Sequence, residues 1–436
     1  MTDIDVAVVG GGISGMTAAR ALCRRGLAVR LFERERACGG VIRTERAGEF
    51  VIDTGPDTLL THKPAALELV SELGLDARLM PPLPRRTTYV LRRSGLRGLP
   101  ETSALGLPVG WRTLAGAGAF SWPGKLRMAV EPFIKPSPPP DDESISEFVG
   151  RRFGREAVTY VAEPVLADAE RRHGSVVRAW RRMPARSSST GSMSLRGGLG
   201  QLAERMSAEL PPGTVVTGKA VWGLERRRSF TVLLGDTPSV TARAVVLATP
   251  AYATGAIVRD LDRELSRLCK GIRYAPSVNV ALGYERRAVR DPLQGWGFMV
   301  PAREPRHVRS ASWVSSKWPD RAPAGCALIR ACLGSVTDTS ALDQSDETLV
   351  SWAHDDLRDL LGIGAAPVLA RVYRRPLAMP QLEVGHLNRM SAIDARLEAI
   401  AGLFVTASGF RGVGLPDCIS DARAVAERAA AYLKSV

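Results

Sequence analysis

The 436-residue sequence has no CxxC pair, and its six cysteines (Cys23, Cys38, Cys269, Cys326, Cys332, Cys418) are scattered. That spacing excludes the dense framework of a small secreted scaffold, so thiols in a reducing compartment are expected. Histidine is as scarce: His62, His173, His307, His354 and His386 show no metal-ligand spacing, and no metal is expected. No Ser/His/Asp or Cys/His signature of nucleophilic catalysis is visible, so no catalytic side chain is assigned. A run of eighteen uncharged apolar residues is also missing, which argues against a spanning helix. The opening "MTDIDVAVVG" carries no basic leader and no small-residue cleavage site, and a cytoplasmic location is the expectation. There is no internal repeat.

What is present fits a soluble globular chain of two or three domains, with 45% hydrophobic residues and enough length to bury a large core. The formal charge is +14 and the pI about 10.0, a field that attracts anions such as nucleic acid, anionic lipid or a polycarboxylate. Only seven of the 59 basic residues are lysine. The arginine excess has two readings, a basic surface and a genome rich in arginine codons. The basic residues are dispersed without interleaved aromatics, so no nucleic-acid partner is expected. The stretch "LGLPVGWRTLAGAGAFSWPGKLRM" (105–128) reads either as a peripheral membrane contact or as a buried loop and helix.

Along the chain, an apolar run of strand length (Val6 to Val9) gives way to a glycine turn, then to helical spacing (Ser14 to Arg25) and a second strand (Ala28 to Glu33). This is a βαβ pattern. A further α/β stretch covers about 193–250, with "TVVTGKAVWGLERR" read as one strand and "SFTVLLGDTPSVTARAVVLAT" as a hairpin. The last piece is a strand (Leu403 to Thr406), a glycine loop and a helix after Pro416. Between them, residues 76–190 hold the Pro-rich "KPSPPPDDES" and a helix in "SISEFVGRRFG", which Asp142 or Ser144 could cap. Residues 261–384 mix strands with a helix at about 346–361.

In "GGGISG", Gly10, Gly12 and Gly15 form G-x-G-x-x-G between a strand and a helix. The glycines allow a tight turn and close approach of a pyrophosphate to the helix N-terminus, where free N–H groups and the dipole favour anions. Glu33 follows at the end of the next strand, where a carboxylate can accept hydrogen bonds from a ribose diol. Together they point to a dinucleotide.

Further segments follow in order: "RACGGVIRT" (36–44), "FVIDTGP" (50–56), "SLRGGLGQL" (194–202), "VVLATP" (245–250) and "GFRGVGLPDCI" (409–419). This set resembles the protoporphyrinogen/coproporphyrinogen oxidase branch of the flavin-containing amine oxidase superfamily. The resemblance runs along nearly the whole chain, and the C-terminal segment is the part most specific to that branch. It implies an FAD-dependent oxidase. The implied fold is α/β, a Rossmann-like FAD-binding domain assembled from residues 1–75, 193–260 and 385–436. A helical region at 76–192, a candidate membrane-facing surface, and an α+β substrate domain at 261–384 are inserted in it.

The same resemblance implies the cofactor-binding residues beyond Gly10, Gly12, Gly15 and Glu33. Gly39 and Gly40 lay bare backbone against the cofactor, Arg36 and Arg43 neutralise phosphate charge, and the backbone of Val221 pairs with adenine. Gly412 and Gly414 approach the isoalloxazine, and the helix carrying Pro416 and Asp417 points its positive end at the ring. The second glycine-rich turn would therefore serve the far end of a long cofactor. In the porphyrinogen branch an arginine pairs with a substrate carboxylate, and Arg97 in "SGLRGLP" matches that position. Asn279 stands where amine oxidases carry a lysine, which weakens the amine reading. Cys418 follows the family pattern and reads as packing.

The implied reaction is hydride transfer from a porphyrinogen, a tetrapyrrole with carboxylates, to flavin N5, with dioxygen as terminal acceptor giving peroxide, in haem biosynthesis. Two departures stand beside it. "VLADAERRHGS" lacks the Gly-aromatic-Ala-Gly loop that usually lines the cavity before Asp168, and "TASG" replaces "AGNA", changing Ala407 and Ser408. The alternatives are therefore another FAD oxidase or desaturase with a different substrate, or a flavin- and porphyrin-binding protein without turnover.

Overall fold

The computed structural model describes residues 3–84, 87–93, 95–99, 103–104, 107–108, 118, 120–134, 145–160, 191–235, 239–335 and 338–436. The chain divides into two compact units, one of residues 1–81, 190–275 and 377–436, the other of residues 82–189 and 276–376.

The first unit is built on a sheet whose strands run in the order Val215–Val216, Val29–Phe32, Asp3–Val9, Val240–Leu247, Phe230–Leu234 and Val221–Arg226. Leu403–Val405 also pairs in parallel with Val240–Leu247, Val245 opposite Leu403. The pairs of Asp3–Val9 with Val29–Phe32 and with Val240–Leu247 are parallel, while Phe230–Leu234 and Val221–Arg226 add an antiparallel edge. Side chains alternate across the pleat, so Val6 and Val8 enter one core and Ala7 and Val9 the other. Such apolar residues on both faces mark a sheet covered on both sides.

Helices supply the covers. On the Val6 face lies Ile13–Cys23 with Leu415–Ser435 against it, the latter burying Cys418, Ile419, Ala422, Val425, Ala426 and Ala429. That three-and-four spacing is a helical stripe, and its alanines let the two helices approach closely. On the other face, Leu265, Cys269, Met390 and Ile393 pack over Val245 and Leu247.

The segment "TVVTGKAVWGLERR" is not one strand. It divides into Val215–Val216 and Val221–Arg226, which pair with different neighbours. Gly218 lies between them at φ +69°, a left-handed conformation that ends a strand and that glycine adopts without cost.

The second unit carries a mainly antiparallel sheet, in the order Leu369–Pro380, Tyr274–Glu285, Cys326–Leu333, Val308–Trp313, Gly297–Met299, Thr88–Arg92 and Gly95–Gly98; the strand ends 274–275 and 377–380 belong to the first unit. Helix Asp346–Leu361 packs Leu349, Ala353, Leu357 and Leu361 into the core with Val280, Leu282 and Ile329. Ser345 caps it by accepting from the Thr348 N–H, and Gly362 ends it at φ +63°, the expected start and stop signals. A short helical group, Trp122–Ala129, Ile145–Phe153 and Arg155–Tyr160, contains a fully buried Arg152–Glu131 ion pair. The helix expected in "SISEFVGRRFG" is present, but its candidate caps Asp142 and Ser144 lie outside the described residues. So does the shortened segment at Ala167 and Asp168.

Candidate functional site

The glycine turn after Asp3–Val9 is shaped by what surrounds each α-carbon. Gly10 sits at φ +105°, and a β-carbon there would lie 2.7 Å from the Ala248 carbonyl oxygen. A β-carbon on Gly15 would overlap the Gly10 carbonyl oxygen, so only glycine lets the helix begin this close to the strand. Gly12 differs. It caps helix Ile13–Cys23 without a side-chain hydrogen bond, and its β-carbon would meet nothing within 4 Å. Open space at a helix N-terminus, where the first N–H groups lack partners, is the geometry a pyrophosphate requires.

The turn is closed from behind by Glu33, 8% exposed. Its Oε2 accepts from the Gly11 N–H at 2.6 Å and its Oε1 from the Glu35 N–H at 2.9 Å. An ionised carboxylate has about four lone-pair sites, so capacity is left for a diol. Chain 216–219 runs beside it: the Glu33 N–H donates to the Val216 carbonyl and the Lys219 N–H to the Glu33 carbonyl, both at 2.9 Å. Val221 follows two residues on, at the start of its strand.

The second glycine pair leans on the first. The Gly39 N–H donates to the Gly11 carbonyl at 2.8 Å, and a β-carbon on Gly40 would lie 3.2 Å from the Gly12 α-carbon. Both glycines have positive φ. Arg36 and Arg43 are exposed, with Arg43 donating to the Ala37 carbonyl at 3.2 Å.

At the other glycine-rich segment, Gly414 caps helix Leu415–Ser435 with Pro416 in its first turn, a position where proline's missing N–H costs nothing. A β-carbon on Gly412 would crowd the Asp417 side chain, and Asp417 accepts from Lys63 at 2.6 Å. Arg411 pairs with Asp394 and Asp421 and donates to the Val405 carbonyl. Burial pushes the Cys418 thiol up to about 11, so it stays protonated and packs in the helix-helix core.

Several participants carry no assignment from sequence. Gly11 is one: a β-carbon there would lie 2.7 Å from Cys38 Sγ and 2.9 Å from Glu33 Oε2, and the uninterrupted run of three glycines was its only signal. Another is the network of Thr44, Asp53 and the 199–200 turn. Thr44 Oγ1 donates to Asp53 Oδ1 at 2.6 Å and accepts from the Gly200 N–H, while the Leu199 N–H donates to the same carboxylate at 2.9 Å. It joins three of the glycine-containing segments that the sequence names separately.

Arg97 and Asn279 both belong to the second unit and are not brought together. Five strand spacings separate their strands, about 24 Å at the usual inter-strand distance. Arg97 is exposed on the edge strand, and Asn279 Nδ2 donates to Ser277 Oγ at 2.9 Å. Among the described residues no group of three or more His, Cys, Asp or Glu could hold a metal ion, and no helix is long and apolar enough to cross a membrane.

A family model described as flavin containing amine oxidoreductase matches residues 13–430. A relative from Bacillus subtilis (strain 168) named coproporphyrinogen III oxidase is 29% identical, over 99% of this chain and 98% of its own length. Another of the same name, from Propionibacterium freudenreichii subsp. freudenreichii, is 31% identical over 95% of this chain and 89% of its own. Among solved structures, one from Exiguobacterium sp. 255-15 named for protoporphyrinogen oxidase superposes with a TM-score of 0.87 at 23% identity, covering 100% of both chains.

Proposed function

From the premise that this chain belongs to the family of flavin-containing amine oxidoreductases, we propose that it oxidises coproporphyrinogen, using dioxygen as terminal acceptor. It is an FAD-dependent oxidoreductase of the porphyrinogen oxidase type in haem biosynthesis, and the two relatives carrying the coproporphyrinogen name favour that substrate. Their match along nearly the full length does not favour the reading without turnover. The observation that carries the cofactor reading is the open space at Gly12 next to the Glu33 carboxylate.

FAD, when bound, supplies the hydride acceptor at N5 and passes the electrons to dioxygen as peroxide. This chain's own residues hold and orient it. Gly10, Gly12, Gly15 and the helix N-terminus seat the pyrophosphate, Glu33 holds the ribose, and the Val221 backbone meets adenine. Gly39 and Gly40 keep the wall free of side chains while Arg36 and Arg43 lower the phosphate charge. Gly412, Gly414, Pro416 and Asp417 receive the ring end, where the helix dipole favours negative charge on the reduced flavin. In this reading Arg97 pairs with a substrate carboxylate and Asn279 contacts the substrate, which the match of their sequence positions to the family supports. Each hydride removed is matched by a proton lost from the macrocycle, and no side chain is assigned as its acceptor.

The test is anaerobic mixing of the purified protein with coproporphyrinogen and, separately, protoporphyrinogen, following the visible flavin band. Bleaching that is faster with coproporphyrinogen, then porphyrin fluorescence on admitting air, is expected. A flavin that stays oxidised with both would remove the oxidase reading and leave binding alone.

A peripheral membrane contact has one observation behind it. Trp122, Leu126 and Phe133 are 75%, 67% and 80% exposed, Trp122 and Leu126 are one helical turn apart, and the Lys125 ammonium lies 4.9 Å from the Trp122 ring centroid. Apolar side chains flanked by cations suit an anionic lipid interface.

A further inference from the structure

Two side chains outside the glycine-rich motifs reach the turn that follows strand Leu403–Val405. The Tyr274 hydroxyl accepts from the Ala251 N–H at 3.0 Å and donates to the Ser408 carbonyl at 3.0 Å, the two roles one hydroxyl can fill at once. His386 places Nε2 2.9 Å from the Phe410 carbonyl. Since a carbonyl only accepts, Nε2 carries the proton. The imidazole is 7% exposed, and its Nδ1 has no partner among the described residues. Between the two held carbonyls lies Gly409 at φ +100°, where a β-carbon would sit 2.8 Å from both the Tyr274 hydroxyl and Pro380 Cβ.

The other end of the Tyr274 bridge gives it meaning. Ala251 opens helix Ala251–Ile257 directly after the loop that contains Ala248 and Thr249. Ala248 and Thr249 are the residues that crowd Gly10 in the dinucleotide turn. Strands Val240–Leu247 and Leu403–Val405 are parallel neighbours, so both loops leave the carboxyl ends of adjacent strands, where open α/β sheets bind ligands. One hydroxyl thus joins the loop behind the first glycine turn to the turn leading into Gly412 and Gly414.

We propose that Tyr274 is a positioning residue for bound FAD, fixing the ring-end turn against the pyrophosphate-end loop, with His386 holding the second carbonyl of the same turn. The proposal rests on the FAD reading above. Loss of either contact frees the ring-end turn without touching the Gly12 and Glu33 cradle, so the cofactor still binds, but its ring sits in an altered field.

The experiment compares wild type with Tyr274→Phe, His386→Leu and His386→Gln, the last keeping an N–H donor. Each is purified and stripped of FAD, its apo-protein melting temperature measured, FAD titrated back by fluorescence quenching, and the visible band and midpoint potential recorded. For Tyr274→Phe and His386→Leu, about a tenfold weaker FAD affinity is expected, the scale of one or two net hydrogen bonds, with a shifted band and potential. His386→Gln should restore both towards wild type. Unchanged affinity, band and potential in Tyr274→Phe and His386→Leu would overturn the proposal, as would losses that only track apo-protein melting and appear equally in His386→Gln. A wild-type protein that takes up no FAD would overturn the underlying cofactor reading, an outcome distinct from either.

Discussion

Gly11 and Glu33 are joined by a 2.6 Å hydrogen bond from the backbone N–H to Oε2, closing the glycine turn against the end of the second strand. The carboxylate is therefore both part of the turn's structure and the group offered to a ribose. Replacing Glu33 with Gln keeps the shape but sets an amide against two backbone N–H donors. Charge-assisted bonds are about twice as strong as neutral ones, so FAD affinity is expected to fall roughly ten- to a hundredfold, by fluorescence titration. The apo-protein should also melt earlier.

The glycines of the first turn separate by role. Gly12→Ala adds a methyl to empty space, so apo-protein stability should be nearly unchanged while FAD binding is lost. Gly15→Ala drives a β-carbon into the Gly10 carbonyl and should cost about 1–3 kcal/mol or more of stability, as overpacking does. Thermal melts of the two apo-proteins beside FAD titrations distinguish them, and equal behaviour would contradict the assignment of Gly12 to the cofactor.

Thr44→Val removes the hydroxyl that links Asp53 to the Gly200 N–H. Leaving buried donors and acceptors unmet costs about 1–3 kcal/mol, and denaturant unfolding should register a loss of that size. Thr44→Ser, which retains the hydroxyl, should lose much less.

Alkaline pH should lower stability in part by way of buried thiols. Burial raises Cys418 from the usual 9.0 to about 11 and Cys269 to about 12. A raised folded-state pKa means the native form holds the proton more tightly, so this contribution is complete below pH 9 and is lost as pH rises from 9 through 11 to 12. Each such group lowers stability by up to about 1.4 kcal/mol per pH unit in that window. Cys418→Ala should flatten the decline measured by denaturant titration.

Vesicle co-sedimentation examines the exposed apolar group of the second unit. Wild type is expected to pellet with anionic vesicles and less with zwitterionic ones, and a Trp122→Ser, Phe133→Ser double variant should release it. Equal partitioning of wild type and variant would remove the membrane contact.

The sequence made legible what is local. Gly10, Gly12, Gly15 and Glu33 lie within one βαβ unit, where strand and helix lengths fix their separation, and the helices at Ile13–Cys23, Asp346–Leu361 and Leu415–Ser435 follow apolar spacing, the second with a Ser345 cap and a Gly362 stop. The break at Gly218 is not legible in the sequence because an apolar run on both sides of one glycine is compatible with a continuous strand. Tyr274 and His386 escaped because their meaning lies in which carbonyls they reach, 134 and 24 residues away, and no local pattern encodes that. The distance between Arg97 and Asn279 depends on strand order, a property of the whole sheet.

Strand Leu403–Val405 and helix Leu415–Ser435 complete a sheet and a core that Asp3–Val9 and Ile13–Cys23 begin. On the ribosome the amino-terminal half of that core therefore emerges long before its cover. Val6, Val8 and Met16 wait, unsealed, until the residues from Leu415 to Leu433 have been made. Until then that apolar surface is open to aggregation, and a product truncated ahead of residue 403 would lack both the strand and the helix that cover it.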